Sequence, residues 1–208
     1  MRTAAHPTTS RRRFLQGAVA SNRVDVRVAH DLNTLMQIIA LRAVVYMGEQ
    51  NCPFEEEFDG NDFTAATHLI AWCEGQAVGA LRLRWFADFV KVERVAVRAD
   101  HRGGEVVRCL FGAAIELSRR RGYRRALGYI QVRLEPFWRR LGFYPRQGRE
   151  PFAFSDHHYI EVEGEIEPHP APLSIDADPM VLMRPDGLWD VDGVLDRSSA
   201  RPATNPCL

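Results

Sequence analysis

Short runs of apolar residues dominate the chain, and two longer stretches carry apolar positions at helical spacing. Val24 to Val28 reads as a first strand. Asp31 suits a helix N-cap, and Leu32, Leu35, Met36, Ile39, Ala43 and Tyr46 then recur at helical spacing, which predicts a helix to about Gly48. Glu49 to Asp62 is acidic and reads as a loop, with Glu55 to Glu57 as a solvated turn. Thr67 to Cys73 and Gln76 to Trp85 read as strands joined at Glu74-Gly75, with Val90 to Arg98 as the third of an antiparallel run. Val107, Leu110, Phe111, Ala114 and Leu117 predict a helix from Glu105 to Arg121, closed by Gly122. A short strand at Ala126 to Val132 and a short helix at Glu135 to Leu141, with Pro136 in its first turn, come next. Phe152 to Ile166 alternates as one long strand. A Pro-rich connection, a last strand at Met180 to Met183 and a tail from Trp189 complete the chain.

Composition narrows the class. A chain of 208 residues is most simply one domain, able to bury about two-thirds of its unfolded surface. Lys plus Arg and Asp plus Glu both total 27, so no basic excess points to nucleic acid. No run reaches the roughly 18 apolar residues of a membrane span. The four cysteines (52, 73, 109 and 207) form no CxxC pair, which fits reduced thiols in the cytoplasm. Residues 1–22 hold Ser10-Arg11-Arg12-Arg13-Phe14-Leu15, similar to a twin-arginine export signal, but the apolar core after it is only about seven residues and is interrupted. A disordered basic leader is the favoured expectation, ahead of a domain over 23–188 and a tail over 189–208.

One stretch points to chemistry. Lys91 to Val97 reads as a strand, Asp100 to Gly104 as a tight loop with two consecutive glycines, and Glu105 as a helix start. That order aims unpaired amides and the positive end of a helix dipole at one spot, as phosphate binding requires. Spacing alone equally fits a plain connection. It is neither GxGxxG nor GxxxxGK[ST], which argues against a dinucleotide fold and a P-loop.

Val95-Ala96-Val97-Arg98-Ala99-Asp100-His101-Arg102-Gly103-Gly104 resembles the acyl-CoA loop of the GNAT N-acetyltransferase superfamily. Phe137-Trp138-Arg139-Arg140-Leu141-Gly142-Phe143 resembles that family's Phe-Tyr-x-x-Leu-Gly-Phe. Val45-Tyr46-Met47-Gly48-Glu49-Gln50-Asn51-Cys52-Pro53 is similar to a Val-Phe-x-x-Glu-Gln-x-x-Pro segment of one branch, near the acyl-homoserine-lactone and N-acyl amino acid synthases. The three motifs stand in family order within about residues 24 to 184. The resemblance implies an α/β (α+β) acyl-CoA N-acyltransferase fold, a mixed central sheet flanked by helices.

It also implies roles. Backbone amides from Arg102 through Gly103, Gly104, Glu105, Val106 and Val107 would hold the pyrophosphate of acetyl-CoA or another acyl-CoA. A strand N–H at Val95 or Val97 would meet the thioester oxygen. Glu93 is the first candidate base for the amine and Glu49 the second. Asp59, like Glu49, would draw a cationic amine by Coulomb attraction. Trp138 occupies the position of the family tyrosine that protonates the leaving thiolate, and an indole is a far poorer acid, so Tyr144 or Tyr129 would have to replace it. Glu105 and Val107 depart from the glycine pattern, one adding negative charge and the other bulk beside the phosphates.

Other side chains carry two readings each. Arg119, Arg120 and Arg121 would contact the adenosine 3′-phosphate or simply compensate the helix dipole. Glu93 would act as base or pair with Lys91 or Arg94. His157 and His158 are adjacent on a strand and point to opposite faces, against a shared metal ion. Trp72, Trp85 and Trp138 read as packing residues. The expected activity is acetyl transfer to a primary amine of a small molecule, with no metal, nucleic acid or membrane involved. Long-chain transfer of the signal-synthase kind, from acyl carrier protein or acyl-CoA, is the first alternative, and a binding module without turnover the second. A homodimer stays open.

Overall fold

A computed structural model describes Leu15 and residues 23–202. Eight strands form one sheet in the order β1 (Val24–Val28), β2 (Ala66–Cys73), β3 (Gln76–Trp85), β4 (Val90–Val97), β5 (Arg125–Gln131), β8 (His157–Glu165) and β6 (Tyr144–Pro145), with β7 (Phe152–Phe154) also on β8. Neighbours pair antiparallel except β4 and β5, which are parallel and joined through α3 (Glu105–Arg120). Among the described residues the other α-helices are α1 (Leu32–Arg42), α2 (Phe54–Glu57), α4 (Glu135–Arg140), α5 (Pro179–Met183) and α6 (Val194–Ser199).

Both faces of the sheet are covered, so its central strands are apolar on both sides. Leu69, Ala71, Leu81, Leu83, Val90 and Val92 pack with Val106, Leu110, Phe111, Ala114 and Ile115 of α3. The opposite face puts Ile70, Ala80 and Ala96 under Ile38, Leu41 and Val45. α3 comes closest at Gly79, where a Cβ would stand 2.7 Å from Val106 Cγ1 and 3.0 Å from Leu110 Cδ1.

Asp31 caps α1 through the Thr34 amide at 2.8 Å, as the sequence suggests. The helix does not run on in α geometry, because Ala43–Glu49 widens into a π-helical turn. Glu55 to Glu57 are not a solvated turn: they form α2, and Glu57 is fully buried. The stretch from Phe152 to Ile166 is two strands, broken where Ser155 and Asp156 both take positive φ (46° and 58°), a hairpin turn. Met180 to Met183 is helical, since the Asp178 side chain caps the Met180 amide at 2.7 Å and Pro179 opens the first turn. Trp189, read as the start of a tail, is buried in the main core. Of the basic leader only Leu15 is described, buried against Ile166, and the remainder of 1–22 lies outside the described residues, as does Cys207.

Gly79→Ala should force α3 away from the sheet and lower stability by about 1–3 kcal/mol. The urea midpoint should fall with an unchanged m-value; an unaltered midpoint would show that helix and sheet do not meet as closely as described.

Candidate active site

β4 and β5 touch over only three positions, Val90 with Ala126, Lys91 with Leu127 and Val92 with Gly128. Beyond these the strands run on to Val97 and Gln131 without pairing, so they part and leave a wedge. A bulge sits where the parting begins. Arg82 of β3 pairs with Glu93 and Ala80 with Ala96, so Arg94 and Val95 share the space opposite Leu81. Arg94 takes φ 51° to make room. Successive side chains Glu93 and Arg94 therefore reach the same α2 side, while Val95 and Val97 pack toward α3. The Tyr46 hydroxyl, carried on the π-helical turn, donates to the Val95 carbonyl at 2.8 Å. Burial pushes the Tyr46 phenol pKa well up, so it stays a donor.

The loop leading to α3 stands beside this wedge. Gly103 (φ 143°) and Gly104 (φ 99°) take backbone conformations that L side chains avoid, and a Cβ built at either would meet nothing within 4 Å. Gly104 occupies the N-cap, where it brings no capping side chain. Val106 and Val107 pack their side chains against the main core, so neither crowds the loop, and the bulk expected at Val107 is directed elsewhere. The Arg102 guanidinium donates to the Val97 carbonyl at 3.0 Å and pairs with Glu49. That pair ties the end of the π-helical turn to the glycine loop.

Around the bulge lies a buried ion lattice. Arg42 and Arg82 are fully buried. Arg42 donates to Glu57 at 2.5 Å and to Asp62 at 2.6 Å. Arg82 reaches Asp59 at 2.9 Å, Asp62 at 2.8 Å and Glu93 at 2.9 Å. Arg94 adds bonds to Asp59 at 2.9 Å and to the Glu56 carbonyl at 2.6 Å. Lys91 takes the second oxygen of Glu93 at 2.8 Å. Burial raises Glu57 above the ordinary carboxyl value despite Arg42. Burial also works against Asp59, but the Arg82 hydrogen bonds, the Asn61 amide and the charges of Arg82 and Arg94 hold it well below. Asp62 is lowered in the same way by Arg42 and Arg82.

The sequence candidates thus fall into separate settings. Glu93 has both oxygens in ion pairs, with Arg82 and with Lys91. Glu49 and Asp59, expected to draw a cationic amine, are neutralised by arginines, so Coulomb attraction for a free cation is largely cancelled. Trp138 is a core residue, edge-on to Phe111 at 4.8 Å and to Phe143 at 5.0 Å. Tyr144 lies on the short edge strand β6 near Arg139, and Tyr129 faces the wedge with the Lys91 Nζ 4.1 Å above its ring. The arginine run binds neither loop nor wedge. Arg119 and Arg120 donate to the carbonyls of Pro168 and Ala171, and Arg121 grips Asp186. Sequence reasoning missed Tyr46, Arg42, Arg82, Gln131 and Tyr159. Arg82 did leave a signal, a charge between Leu81 and Leu83 in an apolar strand. Among the described residues no group of His, Cys, Asp and Glu could hold a metal ion, and no helix is long and apolar enough to cross a membrane.

A strand that parts from its parallel neighbour beside a glycine-capped helix start is the frame of an acyl-CoA N-acyltransferase. An acyl-CoA N-acyltransferase from Pseudomonas aeruginosa superposes with a TM-score of 0.61 at 27% identity, over 68% of this chain and 99% of that one. Residues 35–143 match the model of the acetyltransferase (GNAT) family, just over half of the sequence, and the chain belongs to that family. A Bacillus subtilis relative, the uncharacterized N-acetyltransferase YjcF, is 29% identical over 123 residues, 56% of this chain and 82% of its own. The protein ElaA of Escherichia coli is 28% identical over 120 residues, 55% of this chain and 77% of its own.

The lattice sets an acid limit. Asp59 and Asp62 are depressed in the fold, so the stability they contribute is in place above their ordinary value near pH 4 and is lost as pH falls toward their folded values. Asp59→Asn should lower the urea midpoint at pH 7 and flatten its decline below pH 4; an equally steep decline would place the acid sensitivity elsewhere.

Proposed function

We propose that the chain transfers an acyl group, acetyl from acetyl-CoA in the first instance, to a primary amine of a small molecule in the cytoplasm. The observation that carries this reading is the parting of β4 from β5 directly beside the Gly103-Gly104 start of α3. Amides of Gly103, Gly104, Val106 and Val107 would hold the pyrophosphate, with Arg102 exchanging Glu49 for a phosphate oxygen. The thioester would lie along β4 with its oxygen toward the Val95 amide, held in place by the Tyr46 bond to the carbonyl of the same residue.

The balance of the step is simple. The amine nitrogen forms a bond to the carbonyl carbon as the carbon–sulfur bond breaks. The amine's proton leaves to a carboxylate, and the thiolate gains one from solvent or a phenol. Glu93 stands on the α2 side of β4 with both oxygens in ion pairs, so it would take the amine's proton through water once Lys91 releases its oxygen. Glu49 becomes available when Arg102 turns to the cofactor. Tyr129 lies nearer the wedge than Tyr144 and is the better donor to sulfur.

Thiol release from acetyl-CoA across a panel of amines tests the activity. Turnover with at least one amine is expected, and acyl-CoA binding without thiol release for any amine or acyl length would reduce the chain to a binding module. Donors of graded length separate acetyl transfer from the long-chain alternative, which a clear optimum at eight or more carbons would establish. Glu93→Gln should lower kcat by about a hundredfold and leave acyl-CoA affinity within a factor of about three; an unchanged kcat would remove Glu93 from proton transfer.

A further inference from the structure

On the α2 side of the wedge runs a row of aromatic rings that neither the glycine loop nor the ion lattice requires. Tyr129 is the residue after Gly128, the last position of β5 to pair with β4, so its ring stands at the fork. Phe152 meets Tyr129 edge-on at 5.3 Å, Tyr159 lies against Phe152 at 6.0 Å, and Phe154 meets Tyr159 edge-on at 5.6 Å. β7 and β8 hold these rings on one face, with Phe152 directly across from Tyr159. Tyr129 and Phe154 are 41% and 37% exposed, a clustering of open aromatic surface that folding alone does not favour. Beside Tyr159 the row turns polar, where the Gln131 amide lies within 3.5 Å of Gln50 and of the Tyr159 hydroxyl.

The charges beside the row are already spent on each other. Glu93 is held by Arg82 and Lys91, Glu161 by Arg146 at 2.7 Å and Arg149 at 3.3 Å, and Glu163 by Arg125 at 3.4 Å and Arg146 at 3.5 Å. A polycation would find no surplus negative charge here. A single amine on an apolar body is a better match, since ring contact asks for no free carboxylate and the cation place at the fork is already taken by the Lys91 ammonium, 4.1 Å from the Tyr129 centroid and 2.8 Å from Glu93. We propose that the row Tyr129, Phe152, Tyr159 and Phe154 is the acceptor subsite, and that it selects a primary amine borne on an aromatic or similarly bulky apolar group. The proposal rests on the acyltransferase reading above. Ring contact supplies the selectivity, and the row leads to the fork, where the amine would meet the thioester.

Thiol release from acetyl-CoA is measured with tyramine, phenethylamine, butylamine and spermidine. The two aromatic amines should show kcat/KM about tenfold or more above butylamine and spermidine. Phe154→Ala, at an exposed position, should raise KM for the aromatic amines about three- to tenfold, leave butylamine within twofold and leave the CoA dissociation constant unchanged; Phe154→Tyr should restore the aromatic preference. Spermidine or butylamine as the best acceptor, or an equal loss for every amine in Phe154→Ala, would overturn the subsite while the acyltransferase reading stands. Thiol release with no amine, although acetyl-CoA binds, would overturn that reading and the subsite with it.

Discussion

Two arginines without solvent contact, Arg42 on α1 and Arg82 on β3, govern how the rest of the chain is arranged. A buried guanidinium is tolerated only with charged partners in good geometry, and removing one partner of a buried pair costs about 3–5 kcal/mol. Apart from Glu93 on β4, the partners come from a single short stretch, Glu57, Asp59 and Asp62, which has little regular structure and only a small helix of its own. The stretch is fixed by charge more than by packing. Its position in turn decides where Arg94 finds acceptors, since the Glu56 carbonyl and Asp59 both belong to it.

That dependence explains how a strained residue persists in the middle of β4. A non-glycine residue at positive φ costs about 1–3 kcal/mol and survives only where its surroundings over-determine it. Arg94 is over-determined by two hydrogen bonds and by the register slip opposite Leu81. The bulge shifts the strand by one residue, so Val95 and Val97 face α3 and the edge toward β5 loses its partner. A second irregularity closes the arrangement. The π-helical turn at Ala43–Glu49 brings Tyr46 to the Val95 carbonyl and Glu49 to Arg102. Lattice, bulge and widened turn thus converge on the Arg94–Val97 segment of β4, where the strand has left its neighbour β5.

How much of this was legible in the sequence follows from the range of the interactions. Strands β2 to β4, the Glu74-Gly75 hairpin and α3 were readable because period and turn chemistry are local. The change from α to π geometry at Ala43 was not, since the apolar positions continue unbroken through it. Met180 to Met183 carries four apolar residues that fit a strand or a helical turn equally, and the deciding features were Asp178 as cap and Pro179 as first residue. The acidic run misled for a different reason: a charge run is usually solvated, and Glu57 is buried only because Arg42 and Arg82 reach it and its neighbours from other elements. For the site, the glycine loop and the motif order located the wedge. The aromatic row was hidden because Tyr129, Phe152 and Tyr159 come together only when β5, β7 and β8 share a sheet.

The two ends of α3 show why one of them is suited to an anion. At its carboxyl end the last turn is saturated: the Arg120 carbonyl accepts from the Leu173 amide at 2.8 Å, and Arg119, Arg120 and Arg121 are committed to Pro168, Ala171 and Asp186 of the C-terminal segment. These arginines sit about 24 Å along the axis from the glycine loop. They compensate the dipole and anchor the segment that carries Trp189. At the amino end Gly104 replaces the serine, threonine or aspartate that would cap a purely structural helix. There two glycines at positive φ leave the first-turn amides without a capping side chain, the geometry on which the proposed pyrophosphate contact rests.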